Sequence, residues 1–430
     1  MAMVDTTSPS AFQTANPHAL AVILDASETR SIMASEDIFD LKGMKLWARN
    51  QPVTADLQRK LMDRALQRPL ETCLMVEDGV TVQTLKERLS SRVRQHPTLA
   101  ALLGPQEDRL IKAMGQVRLH SVVQLLLSAC ESARPATFEH SVDAMALAGA
   151  LQATAGGDDT AVARAMTAGL LHDIGEMYLA PTHGEGDAAN NLDIDTFRQL
   201  VVHPHIGQLL LSQLTDYPKE VVRAVAEHHE RLDGSGYPHR LKADGISPLG
   251  RLLAVTEETL AALRQPGAGL AQASVALRVV PAEFDERHAG TVVGAARRAA
   301  QLVAHLSDQE LHARLDSLDS NLAIALERLE GLIEDTPSPA SLRQAVMLGH
   351  HLVKRLRDGW NASGLWSTDG IEGEDAAEAE TVCAALQARL EAIERSVRLT
   401  AGQGLSEDEQ ETLDQLCAII IDHAPTGEVA

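Results

Sequence analysis

Seven side chains in the middle of the chain are of the types that transition-metal chemistry uses: His140, His172, Asp173, His203, His228, His229 and Glu257. Imidazole is the commonest transition-metal ligand near neutral pH, and a carboxylate can bridge two ions. Five histidines with two acids make the inventory of a binuclear site for hard or borderline cations. Any one of these histidines taken alone reads as a satisfied core or surface residue. Spacing by itself leaves a metal site and structural histidines equally open. The contiguous pair His228-His229 runs into the stretch EHHERLDGSGYP, whose Asp-Gly and Gly-Tyr-Pro steps specify bends.

These residues must be positioned by helices. His140 opens an amphipathic segment, His172-Asp173 end the apolar AMTAGLLHDIGE, and His228-His229 end VVRAVAEHHE. His203 starts HPHIGQLLLSQL, where Pro204 suits a first helical turn. Glu257 lies inside RLLAVTEETLAAL. Helices can bring such distant positions together by pointing side chains inward. The central pattern is helical from Asp159 to about Ala300, with breaks at HGEGDAANN and DGSGYPHRLKADGISP.

Around this centre the sequence predicts a mainly α protein. Residues 1–18 read as a disordered polar tail, and 19–82 as a small α+β domain. In that domain ALAVILDA is expected to be a buried strand, with further strands in GMKLWARNQPV and PLETCLMVEDGV and a helix in ADLQRKLMDRAL. Residues 83–106 read as a linking helix, and EDRLIKAMGQVRLHSVVQLLLSACESA carries helical spacing throughout. A region from 301 to 430 is again helical, with an acidic linker near 367–380. Leucine spacing in DSLDSNLAIALERLEGLIED suits either homodimerisation or intramolecular packing. His350-His351 reads as a surface pair, since no carboxylate motif accompanies it.

Composition narrows the function. A net charge of -22 argues against a nucleic-acid polymer or an anionic membrane as partner. It leaves a small phosphorylated ligand open, because metal ions invert the local field. Four scattered cysteines without a CxxC fit a reducing cytosol. No leader pattern and no spanning apolar run is evident, so a soluble cytoplasmic protein is expected.

HS at His140, LLHDIGE at 170–176, HPHIG at 203–207, HHERLDGSGYP at 228–238 and SPLGRLLAV at 247–255 stand in the order of a known family. Over roughly residues 107–300 the chain resembles the HD-GYP subgroup of HD-superfamily phosphohydrolases, bacterial enzymes that hydrolyse cyclic di-GMP. The segment EFDERHAG, 283–290, looks like the family's closing segment, and the N-terminal module is similar to one that precedes such domains. The resemblance implies an all-helical domain with two divalent ions, Fe or Mn, held by His140, His172, Asp173, His203, His228, His229 and Glu257. It implies Asp173 as the bridging ligand and, with His172, the catalytic centre, where water attacks the scissile phosphorus. Asp233, Gly234, Gly236, Tyr237 and Pro238 would border the ligand pocket, and the same turn would dock GGDEF-domain proteins.

Three departures bear on activity. Glu176 stands where the family has a lysine that contacts substrate phosphate, Glu257 replaces the last ligand aspartate, and the arginines that follow that aspartate are reduced to Arg264, out of register. A unit charge at 4 Å is worth about 4 kcal/mol even at an effective dielectric of 20, so reversing the sign at Glu176 weighs on a dianionic substrate. Glu176 also reads as a solvated helix-end carboxylate unrelated to substrate. Ala136 replaces the glutamate of trinuclear members, which points to two ions. The expected function is hydrolysis of cyclic di-GMP to pGpG and onward to GMP. The alternative is a catalytically weak cyclic di-GMP sensor or protein-interaction module. A metal-free helical scaffold and a different HD-type substrate, such as a nucleotide monophosphate, stand behind these.

Overall fold

The computed structural model describes residues 11–180, 194–264, 268–299, 306–335, 340–363 and 374–421. It is mainly α, as expected. Among the described residues the only named strands are Ile32–Ala34, Ile38–Phe39, Lys45–Trp47 and Leu74–Val76. They pair antiparallel in two two-stranded sheets, Ile32–Ala34 with Leu74–Val76 and Ile38–Phe39 with Lys45–Trp47.

Several local expectations are corrected. ALAVILDA is part of a helix, Pro17–Ser27, not a strand. The Asn16 side chain caps it by accepting from the His18 and Ala19 amides at 2.9 and 3.0 Å, and Pro17 opens it. Its buried residues, Ala19, Leu20, Val22, Ile23 and Ala26, follow helical spacing, which a short apolar run conceals. Of the proposed tail, residues 1–10 lie outside the described residues, while Phe12 is buried and Thr14 bridges to Ala65. The linking helix is two helices, Val82–Gln95 and Pro97–Leu103, parted at His96 before Pro97. The long 107–133 segment divides into Glu107–Ala113 and Ser121–Ala133 around a 3-10 turn. The expected break at HGEGDAANN and part of the acidic linker fall outside the described residues; the linker's second half begins the helix Glu374–Ala401.

The chain divides into two compact units. One comprises residues 1–192, 199–230 and 245–257, and the other 193–198, 231–244 and 258–430. In the first, the helices Pro135–Thr154 and Asp159–Leu171 pack side by side, and both are apolar nearly all round, as fits an interior pair. In the second, the helices Asp308–Asp335, Ala340–Ser363, Glu374–Ala401 and Glu407–Ile421 share a core that includes Leu329, Val353, Trp360, Leu386 and Leu416.

Candidate metal centre

Five helices and the residues just past their ends bring the seven side chains together. His140 lies in the second turn of Pro135–Thr154, and His172 caps the C-terminus of Asp159–Leu171. Asp173 follows it and precedes a 3-10 turn, Ile174–Tyr178. His203 begins His203–Leu214, His228 caps Lys219–Glu227, and Glu257 lies in Pro248–Arg264. All seven are buried, none above 7% exposed.

They form two quartets that share one residue. His140, His172, Asp173 and Glu257 make one, and Asp173, His203, His228 and His229 the other, each with ligand atoms within 4.8 Å of one another. Asp173 Oδ2 lies 3.3 Å from His140 Nε2 and 3.0 Å from His172 Nε2. Its Oδ1 lies 3.3 Å from both His203 Nε2 and His228 Nε2. Glu257 Oε2 completes the first group, 2.9 Å from His140 Nε2 and 3.2 Å from His172 Nε2.

The opposite ring nitrogens decide what these atoms can do. Nδ1 of His172, His203 and His228 lies 2.8, 2.7 and 2.7 Å from the carbonyl oxygens of Gly169, Leu200 and Val225. A carbonyl only accepts, so each Nδ1 carries the proton and Nε2 is left to present its lone pair. Yet His203 Nε2 and His228 Nε2 are 3.0 Å apart, and His140 Nε2 and His172 Nε2 3.1 Å. Lone pairs so close to each other and to carboxylate oxygens need positive charge among them. The donor set of nitrogen and oxygen suits divalent first-row ions, so the residues fit a pair of such ions.

Charge in the site points the same way. Burial would depress His140, but Glu257 and Asp173 outweigh it and raise its pKa to about 9. The same two acids hold His172 well above the ordinary range, and the surrounding imidazoles hold Asp173 well below its own against the burial penalty. His228 goes the other way, pushed down to about 3 by burial and by His229 beside it. The Asp173–Glu257 side thus draws positive charge, and the His228 side keeps bare imidazole nitrogen.

The family model of the HD domain matches residues 124–316. A cyclic di-GMP phosphodiesterase of Pseudomonas aeruginosa is 32% identical over 151 residues, 35% of this chain and 36% of the relative. A 3'3'-cGAMP-specific phosphodiesterase of Vibrio cholerae is 33% identical over 90 residues, 21% of this chain and 19% of the relative. Residues 124–316 thus carry an HD domain, and the motif order described above falls within them. The chain spans about a third or less of the length of these curated relatives. A solved HDG"Y"P protein of Bdellovibrio bacteriovorus is 14% identical, with a TM-score of 0.35 over 63% of this chain and 97% of its own.

Two further groups of residues were named from the sequence. Asp233, Gly234, Gly236, Tyr237 and Pro238 belong to the second unit. There Asp233 Oδ1 accepts from the Ser235 amide and hydroxyl at 2.9 and 2.7 Å, and Gly234 has a φ of +85° that suits glycine. Glu176 is not a solvated carboxylate: it is wholly buried, in the 3-10 turn after Asp173. The Arg134 guanidinium fastens that turn, donating to the Glu176 and Leu179 carbonyls at 2.9 Å each.

Sequence reading missed the residues that let the helices around the seven approach one another. A Cβ on Gly169 would sit 2.5 Å from the Ala144 carbonyl oxygen, and one on Gly175 would sit 2.1 Å from that of His203. Gly169 stands inside the apolar run that ends in His172-Asp173 and Gly175 just after it, a placement that does not say what either glycine packs against. Glu227 was passed over too. Its Oε2 accepts from the Ser247 amide and hydroxyl at 2.8 and 2.5 Å, tying the helix of His228 to the start of the helix of Glu257.

Proposed function

We propose that this chain is a metal-dependent phosphodiesterase acting on a cyclic dinucleotide, cyclic di-GMP first, to give pGpG and then GMP. The observation that carries this is Asp173, whose two carboxylate oxygens each face a pair of histidine Nε2 atoms. His140, His172, Asp173 and Glu257 would hold one divalent ion, Fe or Mn, and Asp173, His203, His228 and His229 the other. Divalent ions held there supply Lewis acidity, which lets water ionise near neutral pH and neutralises phosphoryl charge. The chain's own part is orientation and exclusion. Backbone carbonyls fix three imidazoles with Nε2 turned inward, and burial keeps bulk water from the carboxylates. Asp233, Gly234, Gly236, Tyr237 and Pro238 are assigned to the ligand side on the strength of the motif order. The names of the relatives support the cyclic dinucleotide class and leave two substrates to compare, cyclic di-GMP and 3'3'-cGAMP.

A cyclic dinucleotide sensor with little turnover is the second reading, favoured by the buried Glu176 where the subgroup has a lysine. In either role the turn is the surface offered to a GGDEF-domain partner. The test is turnover of both dinucleotides by anaerobically purified protein loaded with Fe(II) or Mn(II), with His172→Ala and Asp173→Ala as controls. Linear product from the wild type alone supports the enzyme. No product from protein with two ions per chain sinks it and leaves the sensor.

A further inference from the structure

The C-terminal helices carry no catalytic motif, yet the segment 231–244 belongs to the same compact unit as they do. The contacts are specific. Arg389, in Glu374–Ala401, reaches Glu258 Oε1 at 3.0 Å and Glu283 Oε2 at 3.1 Å. Arg231, at the start of the turn segment, meets the same two acids at 3.2 and 3.8 Å. Both guanidinium groups lie over the Phe284 ring, at 4.8 Å for Arg231 and 5.7 Å for Arg389. The Leu232 amide donates to the Glu283 carbonyl at 2.9 Å, which carries the anchorage into the turn.

Arg355, in Ala340–Ser363, makes a second anchor. Its Nε lies 3.9 Å from Asp233 Oδ2, while its Nη2 donates to the Pro281 carbonyl. Asp233 is therefore used on both sides, Oδ1 shaping the turn and Oδ2 facing the helical bundle. Beyond it, Tyr237 stacks edge-on against Phe197 at 6.0 Å, Arg395 covers that ring at 5.8 Å, and Arg240 donates to Thr400.

We propose that Arg355 and Arg389 are positioning residues, through which the C-terminal helices hold the Arg231–Pro238 turn in the form that receives ligand. The ligand side of this statement rests on the phosphodiesterase reading; the anchorage does not. The helices thereby shape the turn rather than hang from it, and whatever binds or distorts them regulates the turn.

The experiment is hydrogen exchange of the full chain, read by mass spectrometry, on wild type, Arg355→Gln, Arg389→Lys and Arg357→Gln. Arg389→Lys keeps the buried charge, so folding is preserved. Arg357 pairs with Asp319 inside the bundle and serves as control. Exchange over 231–244 should accelerate about tenfold in Arg355→Gln and Arg389→Lys, with the 135–173 peptides and metal content unchanged and no effect of Arg357→Gln. KM for cyclic di-GMP should rise several-fold while kcat stays within a factor of about two. Unchanged exchange over 231–244 in both variants overturns the proposal, as does loosening of the turn with KM unmoved. If the wild type turns nothing over, the phosphodiesterase reading falls, and the exchange of 231–244 still decides the anchorage.

Discussion

Both halves of the proposed metal centre depend on Asp173, because each of its oxygens faces a separate histidine pair. Asp173→Ala should therefore lose both ions, whereas Glu257→Gln should weaken only the His140–His172 half; metal analysis of anaerobically purified protein tests this. Retention of two ions by Asp173→Ala would rule out the bridging role. In the second unit, Glu283 is raised to about 7 by burial, despite the opposing pull of Arg389, with Glu258 and Asp233 adding negative charge nearby. Arg389 itself is held more firmly charged, and Glu258 is the first of its neighbours to do so. Burial outweighs Arg389 and Arg231 at Glu283, whereas the crowded acids outweigh burial at Arg389. A carboxyl whose folded pKa lies above its unfolded value keeps its proton longer in the native state, so stability falls as pH rises from about 4.5 to 7. Urea denaturation between pH 5 and 8 should reveal this loss, on the order of 2–3 kcal/mol, and Glu283→Gln should flatten it.

Between helices, the centre depends on close backbone approach. Gly175 lets the turn after Asp173 lie against the first turn of the His203 helix, where a Cβ would fall 2.1 Å from a carbonyl oxygen. Gly175→Ala cannot be relieved by rotating a side chain, so it should cost about 3 kcal/mol or more in urea unfolding and reduce metal content. A second support comes from Val82–Gln95. Arg92 grips Asp143 through Nε at 2.6 Å and through Nη2, one turn beyond His140, while Arg88 and Arg92 both reach Glu139. Arg92→Gln leaves a largely buried carboxylate without its bidentate partner, and a loss of about 1–3 kcal/mol is expected. Metal content of that variant at low temperature should stay at the wild-type level, since the ligands are untouched; loss of metal there would show that the helix also sets the position of His140.

The chain as a whole joins a unit that contains the candidate metal ligands to a unit that contains the turn and the C-terminal helices. Ions that bind only the folded first unit stabilise it by mass action, about 2.7 kcal/mol when free metal is a hundred times Kd. Chelation should then lower the unfolding midpoint of the wild type and leave that of Asp173→Ala unmoved. Equal effects of chelator on both proteins would place the bound metal elsewhere. Among the described residues no helix is long and apolar enough to cross a membrane.

The seven residues that the structure gathers were legible because ligand chemistry is a property of residue type and order: imidazoles at helix ends and one acid after His172 survive as a pattern in a string. Helical content was legible for a similar reason, since the apolar period is local. Less was legible where a short run fits two periods, as in ALAVILDA, whose helix is decided by the Asn16 cap and by what the Ile23 side of the run packs against. The burial of Glu176, the close approaches at Gly169 and Gly175, the Glu227 hold on Ser247 and the grip of Arg389 on Glu283 had no comparable mark. Each is a distance between segments tens to more than a hundred residues apart or an enclosure by them, and such distances come from the packing of the folded chain. Residue chemistry supplied the donors; tertiary packing decided which atoms they face.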